Sequence, residues 1–384
     1  MVQEFSRSIT VGISTSALFE MEDAKRLREK YGDDFYRQYM IEKEDEPLQP
    51  GYFFDVVKTM IEINNTVGHS VFDIVLLSTN AAWTGIRAVK SCAHHGIGFS
   101  CAMFGNAPLD PEYLDAYGVN WFITTNEDDA QKAQNMGIAS CSVDPSVTAA
   151  VNTSAEINRI LKGRMPQKLR KKIETPAQIT RDTLSHTFNK KLHFVWDLDR
   201  VLFDGTPDDV FGKHGMHAYM EHESEHALQA ITKGPFASIA DVIGRLSQHF
   251  PKGESPIISS ALTARGGVST LRAMNSLREN GIIFNGELHF SGGAFLKDGV
   301  VEPKGIYKDR ILKIMEKAPH STVVFLDDSK RTIELTKSIT TSGLVPSKAG
   351  SFAIGDVNQA AKKGSNDNKA AAPKPAKISA PKPK

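Results

Sequence analysis

Residues 193–204 read HFVWDLDRVLFD, an apolar run that stops at two carboxylates, Asp197 and Asp199, with a second apolar cluster behind them. An unbroken apolar stretch of this kind suits a strand buried on both faces of a parallel sheet. In such sheets functional groups gather beyond the carboxyl ends of the strands, where neighbouring loops meet. Working outward, six further runs have the same character: SITVGIS (8–14), FDIVLLS (72–78), NWFITT (120–125), PIISSAL (256–262), ELHFSG (287–292) and TVVFLDD (322–328). Helical segments lie between them, so the chain predicts an α/β fold built from βαβ units.

The chain also repeats itself. Leu18-Phe19-Glu20 matches Leu202-Phe203-Asp204, and IRAVKSCAHHGI (86–97) matches LRAMNSLRENGI (271–282), at offsets of 184 and 185 positions. Two separated matches at nearly one offset predict an internal duplication, with a period far too long for a solenoid. The expected organisation is two Rossmann-like domains, each a mainly parallel sheet with flanking helices and a small helical insert. The first copy spans 1–150 with its insert near 20–66. A linker covers 151–190, and the second copy spans 191–345 with its insert near 206–250. Residues 362–384, rich in Lys, Ala and Pro, cannot bury enough apolar surface to offset their ordering entropy, and read as a disordered, solvated tail.

Composition narrows the class. The 384 residues carry a net charge of +1, which gives no reason to expect nucleic acid or a membrane surface as partner. The three cysteines, Cys92, Cys101 and Cys141, form no C-x-x-C pair and read as reduced thiols. No signal peptide and no apolar run of transmembrane length is evident, so a cytoplasmic location is expected.

The chemistry concentrates in the second copy. Asp197 and Asp199, at i and i+2 where a strand stops, can face one cavity, one attacking phosphorus while the other handles protons. Asp327 and Asp328 end another strand and, with the first pair, offer hard oxygen ligands for Mg²⁺. Such a cation is needed, because four carboxylates would otherwise repel an anionic phosphate. Thr263 closes the strand 256–262, and its hydroxyl can donate to a phosphoryl oxygen. A lysine is required to balance charge; Lys304, just ahead of the helix IYKDRILKIM, is the first choice and Lys297 the alternative.

D-x-D-x-V, a strand-ending Thr, a Lys and a D-D pair, in that order, resemble the four motifs of the haloacid-dehalogenase superfamily. Residues 8–345 are similar more specifically to the cytosolic 5′-nucleotidase type I family. The likeness is carried by ISTSALF, E-x-E-P-L-x-P-G (44–51), FDIVLLSTNAAWTGIR, LTAR and FLDD. It implies Mg²⁺-dependent hydrolysis of AMP- or IMP-like nucleoside 5′-monophosphates, with Asp197 as nucleophile and Asp199 as general acid and base. Thr263 would bind the phosphoryl group, Arg265 would add charge beside it, and Asp327 and Asp328 would serve the metal. An oligomer is also implied. The chain departs from the family's D-G-D-A-V at Leu198 and Arg200, and from its S-D-E-S-E run at 204–209. A related phosphatase for another small phosphate ester and a non-catalytic nucleotide-binding protein are the alternative functions.

The first copy has lost these groups. Ile13 and Thr15 stand where Asp197 and Asp199 would fall, and Thr124-Thr125 where Asp327-Asp328 would, so it should be catalytically silent. Its remaining roles are scaffold, oligomer interface or part of a nucleoside pocket, for which 78–83 (STNAAW) offers hydroxyl, amide and aromatic groups. Trp83 reads first as a packing residue. His214, His217, His222 and His226 read as a polar face of an insert helix, with Phe211 and Tyr219 near the substrate entrance. The run 42–46 reads as a solvated face, and His94-His95 as a helix end.

Overall fold

The computed structural model describes residues 8–80, 82–105, 109–146, 190–250, 253–266, 268–291, 296–297, 300–301, 305–318 and 321–347. The first half contributes β1 (Ile9–Ser14), α1 (Thr15–Leu18), α2 (Glu22–Tyr31), α3 (Asp33–Glu42), α4 (Phe54–Val67), β2 (Phe72–Ser78), α5 (Ala82–His95) and β3 (Cys101–Phe104). It continues with α6 (Glu112–Ala116), β4 (Trp121–Thr124), α7 (Glu127–Asn135) and β5 (Ala139–Ser142). The second half contributes β6 (Lys191–Trp196), α8 (Thr206–Glu225), α9 (Ala237–Ser247), β7 (Ile257–Thr263), α10 (Val268–Glu279) and β8 (Leu288–Phe290). A two-stranded hairpin follows, β9 (Leu296–Lys297) and β10 (Val300–Val301), then α11 (Gly305–Met315), β11 (Ser321–Asp327), α12 (Lys330–Thr336) and β12 (Thr341–Leu344).

All seven apolar runs are strands. Three others of the main sheet, β3, β5 and β12, escaped the sequence reading; ASCS and TSGL are short, small-residue strands without the apolar signature. The α/β class with a mainly parallel sheet holds. The expectation of a separate sheet in each half does not: the main strands form one ten-stranded sheet ordered β3-β2-β1-β4-β5-β12-β11-β6-β7-β8. Pairs within each half are parallel, and the halves meet at one antiparallel contact, Leu344 against Ser142. Both halves, read from their outer edges and setting the hairpin aside, use their strands in the chain order third, second, first, fourth, fifth.

The seam runs deeper than its strand contact. On α4, Val56, Val57, Met60 and Ile63 form a buried stripe at helical spacing. That stripe packs α4 on β2 of its own half and on β6 and β11 of the other. One aromatic cluster spans both halves, with Phe194 stacked on Trp196 at 5.3 Å and Trp121 tilted against Phe194 at 6.0 Å. Tyr52 Oη donates to the carbonyls of Lys337 and Thr340 and accepts from Ser342 N–H. The insert helices stand in like places: α3 packs on α5, and α8 on α10. The last helix of each expected insert, α4 and α9, instead lies against the sheet. Among the described residues no helix is long and apolar enough to cross a membrane. The 362–384 tail, and all but the last residue of the 151–190 linker, fall outside the described residues.

Candidate active site

The register of the sheet assembles the site. Trp196 on β6 pairs with Leu326 on β11 and with Ala261 on β7, so the chain ends bearing Asp197, Asp327 and Thr263 emerge side by side. Asp197 is fixed by its own N–H donating to Leu326 O at 2.9 Å. Its Oδ1 accepts from Leu198 N–H at 2.9 Å. Asp327 Oδ1 accepts from Ser329 N–H, and Ser329 in turn caps α12 by accepting from Thr332 N–H.

The lysine between these carboxylates is Lys308, neither of the two chosen from sequence. Its Nζ lies 3.0 Å from Asp197 Oδ2 and 2.6 Å from Asp327 Oδ2, and the residue is 3% exposed. Lys304 lies outside the described residues; Lys297 is on the separate β9–β10 hairpin, its side chain likewise undescribed. A signal for Lys308 did exist in the sequence. With Leu312 and Met315 it occupies the buried stripe of α11, where an unpaired lysine would be very costly. Burial opposes the Lys308 charge, but Asp197 and Asp327 outweigh it and raise its pKa.

Asp197, Asp327 and Asp328 each bring a carboxylate oxygen within 4.8 Å of one another, all buried. Asp328 Oδ2 has no hydrogen-bond partner; Arg200 Nε stands off at 3.5 Å, an ionic approach only. A buried carboxylate oxygen without a donor, converging with two others, fits a hard divalent cation of the Mg²⁺ type. Burial pushes the Asp197 and Asp328 carboxyls upward, with Asp327 adding to both; for Asp197 the nearby Lys308 works against the rise. A bound cation would reverse that balance.

Asp199 takes a different place. Arg265 Nε and Nη2 grip its two oxygens at 2.9 and 2.6 Å, and Asp199 is not part of the convergent trio. Arg265, 1% exposed, also reaches Glu223 on α8, which pairs with Arg272 at 2.6 Å. Burial works against the Arg265 cation, but Asp199, Tyr219 and Glu223 hold it protonated. Its guanidinium is therefore committed to Asp199 and Glu223 and not to the Asp197–Asp327–Asp328 trio. Thr263, 1% exposed, accepts from Arg265 N–H at 3.1 Å, which leaves its own hydroxyl hydrogen free to donate.

Two further groups were missed. Arg200 adopts a left-handed backbone (φ 60°) and turns inward, pairing with Asp209 at 2.8 Å and Asp208 at 3.4 Å. It thereby ties the first turn of α8 to the strand ends, and Gly205 leaves room for it, since a Cβ there would lie 2.5 Å from Nη1. Asp208 is 2% exposed, and burial followed by Asp199 raises its pKa. The basic residue inside D-x-D-x-V and the acidic pair one turn into α8 were the readable signs.

Of the insert histidines, His222 and His226 stack at 4.3 Å beside Arg272, in keeping with a polar helix face. Phe211 and Tyr219 pack edge to face at 6.2 Å and are buried. In the run 42–46, Lys90 pairs with Glu44 and Asp45 at the surface. His95 packs against Phe54 and contacts Leu48 O.

The family model described as 5′-nucleotidase matches residues 1–160 and 166–351. Human cytosolic 5′-nucleotidase 1B is 25% identical over an alignment of 298 positions that covers 74% of this chain and 43% of that protein. The chain thus spans less than half the length of this relative. Among solved structures, a UDP-N-acetylglucosamine 2-epimerase assigned in Listeria monocytogenes is 9% identical at a TM-score of 0.19, covering 85% of this chain and 76% of its own. The UDP-GlcNAc 2-epimerase of Neisseria meningitidis is 11% identical at a TM-score of 0.15, covering 94% and 93%.

Proposed function

Because the chain belongs to the 5′-nucleotidase family, we propose that it is a Mg²⁺-dependent 5′-nucleotidase converting AMP- or IMP-like monophosphates to nucleoside and phosphate. The observation that carries this reading is the buried assembly of Asp197, Lys308, Asp327 and Asp328 at the ends of adjacent strands. The fold we infer is a duplicated haloacid-dehalogenase-like domain, supported by the identical strand order of the two halves.

Asp197, Asp327 and Asp328 would hold the Mg²⁺, which when bound neutralises the phosphate and orients it for in-line attack. An Asp197 oxygen attacks phosphorus, the bond to the ribose 5′-oxygen breaks, and Asp199 supplies a proton to that oxygen. Lys308 and the Thr263 hydroxyl steady the charge on the transferring group. Water deprotonated by Asp199 then attacks the aspartyl phosphate, releasing phosphate and restoring Asp197. The Arg265 grip keeps Asp199 oriented for both proton transfers. The three free cysteines and the cytosolic setting named for the human relative support a cytoplasmic enzyme.

A panel of nucleoside 5′- and 3′-monophosphates and sugar phosphates, assayed for phosphate release with Mg²⁺, tests the substrate class. Turnover confined to 5′-monophosphates is expected. Turnover of sugar phosphates alone would keep the mechanism and overturn the substrate.

A further inference from the structure

The first half contains a cavity of about 840 Å³ at the carboxyl ends of β1, β2 and β4. It falls within the size range of small-molecule sites, roughly 300–1,000 Å³. These three strands hold the first, second and fourth places in their half, as β6, β7 and β11 do in the other. The cavity is therefore the positional counterpart of the carboxylate site, with different chemistry.

Its floor is made of hydroxyls. Ser16 Oγ lies 2.7 Å from Thr125 Oγ1 and 3.2 Å from Ser14 Oγ, and Thr15 Oγ1 lies 3.2 Å from Ser78 Oγ. These groups can donate to an anion, and without carboxylates among them they neither repel phosphate nor hold a divalent cation. On the α2 wall Lys25 is exposed and has no ion-pair partner among the described residues, while Arg28 pairs with Asp33 and lies 5.5 Å over the ring of Tyr36. Glu22 shares that wall. From α7 come Glu127, Asp128 and Asp129; Glu127 pairs with Lys330, and Asp129 has Lys132 at 3.7 Å. Two of the carboxylates that would oppose an anion thus have their own lysines. Asn80 and the Tyr36 ring add amide and aromatic surface suited to a nucleoside body.

We propose that this cavity binds a nucleoside monophosphate without metal and without cleaving it, the phosphate seated on the Ser14–Ser16–Thr125 hydroxyls and met by Lys25. The nucleotide class rests on the function proposed for the second half. The absence of turnover follows from the floor itself, which has no carboxylate to attack phosphorus.

The test is calorimetric titration of the full chain with AMP in EDTA, alongside adenosine and inorganic phosphate, for wild type, Ser16→Trp and Lys25→Glu. The tryptophan covers the Ser14–Ser16–Thr125 seat; Lys25 is exposed, so its reversal leaves folding intact even if Ser16→Trp fails to fold. Metal-free wild type is expected to bind AMP more tightly than adenosine or phosphate. That binding should weaken about tenfold in Lys25→Glu and disappear in Ser16→Trp. Phosphate release with Mg²⁺, assayed in parallel, should stay within about twofold of wild type in both variants. No AMP binding in EDTA, or binding indifferent to both substitutions, overturns the site. If Mg²⁺-dependent release occurs while the metal-free binding fails, this inference falls alone; if release is absent for every monophosphate, the enzymatic reading falls separately.

Discussion

Lys308 illustrates what one buried cation does for this site. Three carboxylates converge in a place with almost no solvent, and their mutual repulsion would expel an anionic substrate. Lys308 touches two of them and so keeps the site assembled. Lys308→Met should lower phosphate release by about 10²-fold or more, because the charge on the transferring group loses a fixed partner. Without metal it should also destabilise the fold by about 3 kcal/mol at neutral pH, read by urea denaturation, since buried carboxylates lose their counter-ion. Undiminished activity would remove the lysine from the mechanism. At this scale the sequence placed Asp197, Thr263, Asp327 and Asp328 at strand ends, and the structure brings those ends side by side. Lys308 was missed because the lysine was sought before the helix and not on its apolar stripe. The Asp199–Arg265–Glu223 chain was hidden because its members lie far apart in sequence and no periodicity links them.

At the level of elements, β6 shows how a polar residue survives in a buried strand. His193 Nε2 meets Ser260 Oγ on β7 at 2.8 Å, and burial lowers the imidazole pKa to about 4. The unfolded chain takes up that proton near pH 6.5 while the native strand resists until about 4, so stability is lost as pH falls through this window. The loss should reach about 3 kcal/mol near pH 4. Glu316, pushed up to about 7 by burial, works in the opposite direction, gaining stability as pH falls. The two are separated by comparing wild type with His193→Gln in urea titrations from pH 7 to 4. The variant should lack the His193 component, and parallel pH profiles would contradict the assignment. Long apolar strands such as β6 were legible because burial on both faces leaves a continuous signature. The short central strands β5 and β12 were not, because their identity comes from neighbours rather than from their own residues.

Across the whole molecule, the two halves share one sheet and one core. The repeat in the sequence pointed to two like halves, but it could not show that their fifth strands meet or that α4 covers strands of both. Such contacts depend on surfaces that no local pattern records. Tyr52 is the clearest of them, with three hydrogen bonds to backbone groups of the other half. Tyr52→Phe strands those groups in a buried place, at a cost of about 1–3 kcal/mol. The expected result is a melting temperature lower by several degrees in one cooperative transition, because the halves are not separable units. Two resolved transitions in scanning calorimetry would contradict a shared core.

The proposed function makes Asp197 the nucleophile of a Mg²⁺-dependent reaction on 5′-monophosphates. It is tested most directly by phosphate release from AMP and IMP, with Mg²⁺ or with EDTA, for wild type and Asp197→Asn side by side. Release by wild type that needs Mg²⁺ and falls by about 10³-fold or more in Asp197→Asn is the predicted result. Release that persists in Asp197→Asn, or that is indifferent to EDTA, would contradict it.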